Sequence, residues 1–123
     1  MSYDIRFGVK VAGTDDELYA VIGEPERCSP TYNNRDIFVK CMDWNYHQGE
    51  WYKVSEIIPK IEKGIHELQF NKEAYKQYEP KNGWGGIQSS LEALQSIMKW
   101  LTEDGLPWSW NGDIPLDLIY MRW

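Results

Sequence analysis

From Tyr3 to Val11 the chain alternates strictly, with Tyr3, Ile5, Phe7, Val9 and Val11 on one side and Asp4, Arg6, Gly8 and Lys10 on the other. A period of two predicts a half-buried strand. Gly13-Thr14-Asp15-Asp16 supplies turn chemistry, and Glu17 to Ile22 reads as a second strand, so the two should form an antiparallel hairpin. Gly23 to Arg27 then breaks the pattern, and the period changes to that of a helix. Ser29 suits an N-cap and Pro30 the first helical position. Ile37, Phe38, Cys41 and Met42 form one apolar stripe, ending near Asp43. Ser55 is the expected cap of a second helix, with Pro59 in or near its first turn and Val54, Ile57, Ile58, Ile61, Ile65 and Leu68 inward. Gly64 lies at the margin of that face, which predicts close approach by another element. Phe70 to Pro80 is polar and tyrosine-bearing, with a short helical turn expected around Glu73 to Lys76. A third amphipathic helix has Ile87, Leu91, Leu94, Ile97, Met98 and Leu101 inward and stops at Gly105-Leu106-Pro107. Leu116 to Trp123 is apolar on both faces, which places this closing strand inside the sheet.

The sum is an α+β fold in the order β-β-α-α-α-β: a small antiparallel sheet packed on one side by three helices. At 123 residues, 1–123 is one domain, large enough to bury a core without disulfides or metal. With two cysteines, no secretory signal and no bilayer-spanning apolar run, the expectation is cytoplasmic. The net charge of −6 argues against direct nucleic-acid binding and against adhesion to anionic membranes. It suits solubility, or a basic protein partner.

The aromatic content changes the picture more. Seven Trp and eight Tyr exceed what a core this small needs. They crowd into turn-like segments: Trp44 to Tyr52, Asn82-Gly83-Trp84-Gly85-Gly86, and Trp108 to Gly112. Such rings either cap the ends of the core or stack on a flat ligand or a protein partner. The first helix poses a related question. Asn34 falls in the middle of its apolar stripe, with Thr31 and Arg35 along the edge, and polar groups on a buried face need partners. An internal network is one answer and a ligand the other. The glycines before the third helix permit close backbone approach, and free N–H groups at that terminus would attract an anion. Together these parts suit a nucleotide-like pocket. Arg35 would pair with phosphate, Thr31, Asn33 and Asn34 would hydrogen-bond, Tyr32, Trp44, Trp51 or Trp84 would stack, and Gly85 would allow the approach.

Signals of catalysis are weak. No His-Glu-x-x-His, Cys-x-x-Cys, Walker loop or Gly-x-Ser-x-Gly occurs. Cys28 or Cys41 with His47 could form a nucleophile–base pair, but Cys41 lies on the apolar stripe, where cysteine is usually packing. Asp36, Asp43 and Glu50 lie near the aromatic segment, where a sugar hydrolase would place paired acids. Neither a cofactor nor a metal is called for, and the expectation is a protein that is not an enzyme.

Ser29-Pro30-Thr31-Tyr32-Asn33 with Arg35-Asp36, Cys41-Met42-Asp43-Trp44, Gln48-Gly49-Glu50, Asn82-Gly83-Trp84-Gly85 and Tyr120-Met121-Arg122-Trp123 resemble small proteins of phages and mobile elements from gut Firmicutes. That resemblance carries no activity and no site residues. By analogy it implies an accessory, anti-defence role in the host cytoplasm. The leading expectation is a non-enzymatic binding protein that sequesters a nucleotide-like signalling ligand. One alternative is an acidic protein inhibitor of a host defence nuclease such as a CRISPR effector; another is a small hydrolase. A homo-oligomer would put the pocket within or between chains.

Overall fold

A computed structural model describes residues 4–10, 19–23, 32–47, 49–83, 85–102 and 118–123. Four strands form one antiparallel sheet: β1 (Arg6–Lys10), β2 (Tyr19–Gly23), β3 (Trp51–Lys53) and β4 (Ile119–Arg122), in spatial order β2-β1-β4-β3. Three helices, α1 (Arg35–Cys41), α2 (Val54–Phe70) and α3 (Ile87–Thr102), cover one face. The α+β class and the hairpin of β1 with β2 are as expected.

β4 sits between β1 and β3, inside the sheet as its sequence indicated, with Met121 opposite both Phe7 and Tyr52. Its two faces nevertheless differ. Ile119, Met121 and Trp123 are buried, whereas Leu118 is half exposed and Arg122 is open to solvent. β3 is an addition to the expected order. It lies in the segment read as an aromatic loop, and three residues are too few for a period of two to show.

The apolar stripes meet on the covered face. Phe7 stacks on Trp100 of α3 at 4.3 Å between ring centroids and 12° between planes. Ile37, Phe38, Cys41 and Met42 are fully buried, as are Val54, Ile61, Leu94 and Ile97. α1 stops where Asp43 turns to φ 49, a left-handed position that aspartate tolerates better than most residues. Ser29 and Pro30 lie outside the described residues, where α1 is preceded by a 3-10 turn over Tyr32–Asn34. α2 begins at Val54 directly out of β3, not behind a Ser55 cap, so Pro59 stands inside the helix. Its ring denies the Ser55 carbonyl an intrahelical partner, which is tolerable because both residues face solvent. A second 3-10 segment spans Lys72–Tyr78, covering the expected turn. No described helix is long and apolar enough to cross a membrane.

Gly64 is where α2 meets its neighbours. A Cβ there would lie 2.8 Å from Leu94 Cδ1, 2.8 Å from Met42 Cγ and 3.3 Å from Cys41 Sγ. The close approach read from the sequence is thus a three-helix junction.

Candidate functional site

The predicted pocket residues go to four separate places. Asn34 is the most informative of them. It is fully buried, and both ends of its amide are engaged: Oδ1 accepts the Gly86 N–H at 2.8 Å, and Nδ2 donates to Ser89 Oγ at 3.0 Å. Its polarity therefore ties the start of α1 to the start of α3. Asn34 does not line the groove described below, which corrects its assignment to a ligand.

The same contacts close the expected anion site at the start of α3. Gly86 N–H is taken by Asn34, and Ile87 N–H donates to Glu79 Oε2 at 3.3 Å. A carboxylate supplied by the chain already sits where an anion would bind, favoured by the dipole of that helix end. Gly85 (φ 98) and Gly86 (φ 145) turn the chain into the helix through conformations that only glycine adopts easily. A Cβ on Gly86 would lie 2.6 Å from Glu79 Oε2, so the glycine serves the cap. Gly85 thus has an internal reason to be glycine, in place of approach to a ligand.

Trp44 belongs to a ring cluster at the edge of the core. It meets Tyr46 at 5.1 Å, Tyr52 edge-on at 4.8 Å and Trp123 at 6.0 Å, while Tyr46 and Trp123 stack at 4.8 Å. Its ring is spent on packing, which corrects its role as a stacking platform. Trp51 adjoins Tyr52 on β3, and successive strand residues point to opposite faces. It is therefore on the other side of the sheet, with the Arg122 guanidinium 6.0 Å from its ring centroid. Trp44 and Trp51 cannot line one pocket. Thr31, Trp84 and the side chain of Tyr32 lie outside the described residues.

Asn33 and Arg35 remain, and they share an open groove of about 640 Å³ with Asp36, Gln77, Tyr78, Glu79, Pro80, Lys81 and Asn82. The helical turn alternates the sides: Asn33 and Arg35 face the groove while Asn34 between them faces α3. Arg35 is held at its rim, with Nη2 donating to Asn45 Oδ1 at 3.4 Å and the guanidinium 6.0 Å from the Tyr46 ring centroid. Lys40 places its ammonium 5.9 Å from the Tyr78 ring centroid. Two cations, three amides, two carboxylates and one phenol thus surround one space. The far wall, Gln77 to Asn82, lies in the polar stretch that carried no periodic signal. Its only hint was a tyrosine among polar residues.

The candidate catalytic groups do not converge. Of the three acids, only Asp36 lines the groove; Asp43 pairs with Lys63 at 3.6 Å, and Glu50 accepts from the Tyr52 hydroxyl at 3.3 Å. Cys41 is fully buried and points its thiol at the Phe38 carbonyl, whereas His47 is exposed. Burial pushes the Cys41 thiol up to about 12, so it carries no thiolate at neutral pH. Cys28 lies outside the described residues. Among the described residues, no three His, Cys, Asp or Glu gather as a metal site.

Compared with known proteins, the chain matches no family model, no curated protein and no solved structure.

Proposed function

We propose that this protein is a binding module whose groove between Arg35 and Lys81 takes a small nucleotide-like anion. The observation that carries this reading is the joint lining by Arg35, Lys81 and Tyr78. The two cations suit phosphate oxygens, and the phenol ring and the amides of Asn33, Gln77 and Asn82 suit the face and edge of a base. Asp36 can accept from ribose hydroxyls, which gives the groove's acid a use. The volume falls within the usual range of about 300–1,000 Å³ for small-molecule sites. An open, polar lining leaves much of the ligand wet, so micromolar affinity is expected rather than nanomolar. Sequestration of such a signal is also what an accessory protein of a phage or mobile element would do to a host alarm pathway.

Titration calorimetry with cyclic dinucleotides and ADP-ribose tests the proposal. At least one should bind, and Arg35→Ala and Lys81→Ala should each weaken it about tenfold, the loss of one charge-assisted contact. Absence of heat with every compound at millimolar concentration overturns it.

A further inference from the structure

The face of the sheet turned away from the helices holds a second candidate site, independent of the groove. Register and alternation fix what lies there. Arg6 of β1, Arg122 of β4 and Trp51 of β3 are direct cross-strand partners in one row. Gly8, Tyr120 and Lys53 form the next row. Their neighbours Phe7 and Met121 are fully buried on the helix side, which puts both rows on the open side. Arg6 and Arg122 are exposed, and Trp51, Lys53 and Tyr120 are half-buried.

Two features of this face ask for an anion. Like charges directly opposite one another on a sheet repel, yet Arg6 and Arg122 stand as such a pair. No carboxylate of the described residues forms an ion pair with Arg6, Lys53 or Arg122. The described strands carry no acid at all, although the chain as a whole has net charge −6. The nearest by alternation is Asp4, just before β1. Cations are thus segregated onto one face of an acidic protein. At physiological salt, charges more than about 8 Å away are largely screened, so a ligand on this face meets the local cations rather than the net charge.

We propose that this open face binds single-stranded nucleic acid. Arg6, Arg122 and Lys53 would hold successive phosphates. Trp51 and Tyr120 would offer rings for stacking, in the manner of open sheets that read unpaired bases. The aromatic pair is what favours a nucleic acid over an acidic peptide, whose side chains carry no ring to stack.

Fluorescence anisotropy of a labelled oligouridylate of about twelve nucleotides, titrated with the full chain over a salt series, tests this. Three phosphate contacts to a single strand predict a slope of log K against log salt of about −2. Arg6→Gln with Arg122→Gln should weaken binding at least tenfold and flatten the slope to about −0.7, circular dichroism showing the fold kept. Trp51→Leu should weaken binding with the slope unchanged, and Trp51→Phe should restore most of it. Arg35→Ala should leave this binding intact, which separates its failure from that of the groove. Absence of binding at about 100 µM protein, full binding by the double variant, equal binding of a duplex, or displacement by polyglutamate at matched charge would each overturn the proposal.

Discussion

The two faces of the sheet are built from the same strands and solve opposite problems. On the covered face, Phe7, Ile119 and Met121 are fully buried, and the polar group brought inside with the helices, the Asn34 amide, is partnered at both ends. On the open face, Arg6 and Arg122 stand side by side with Trp51 and no carboxylate partner among the described residues. A buried polar group can be a strut that stabilises the fold, and an exposed cluster of like charges can be tolerated at a small cost. The difference teaches where a ligand is needed. Polarity inside the core was complete without one; the charge outside it was not.

The largest expected effect lies on the covered face and comes from pH. The folded chain holds the Cys41 thiol neutral up to about 12, against 9.0 for the unperturbed group, chiefly through burial. A raised folded value means that this stability is fully present below about pH 9 and is lost as pH climbs towards 12. A shift of that size corresponds to about 4 kcal/mol at full extent. Burial also raises Tyr75 and Tyr52, which act in the same direction. Urea melts between pH 8 and 12 should therefore show falling stability, and Cys41→Ala should flatten part of the slope.

Next comes the strut. Asn34→Leu keeps the volume but strands the Gly86 N–H, and should lose about 2–3 kcal/mol in denaturant melts. Gly64→Ala should lose about 1–2 kcal/mol, because overpacking against Met42 and Leu94 outweighs the gain in helix propensity. An unchanged midpoint in either variant would remove the contrast between the faces. The smallest effect belongs to the open face and has the opposite sign. Arg6→Glu replaces a repelling cross-strand pair by an attracting one and should raise stability by about 0.5 kcal/mol. The same variant should abolish oligonucleotide binding, so stability and binding would part company at one residue.

Elements with a sustained period were legible along the chain. The stripes of α2 and α3, the alternation of β1 and the interior position of β4 all follow from which residues are apolar and how they are spaced, because burial of one face is a local pattern. Even the close contact at Gly64 could be read, since a missing side chain on an apolar face needs a neighbour. β3 was not legible, because three residues set no period and only pairing with Arg122, Met121 and Tyr120 makes them a strand.

The candidate sites depended on contacts between residues far apart in the chain. Asn34 looked like an orphan because Gly86 and Ser89, its partners, are more than fifty positions away. The groove pairs Arg35 with Lys81 across a similar distance, and the row Arg6–Arg122–Trp51 joins both ends of the chain to its middle. Spacing along a sequence says which side of its own element a residue takes. Which other residues stand beside it is decided only when strands pair and helices dock, and a binding surface consists of those neighbours.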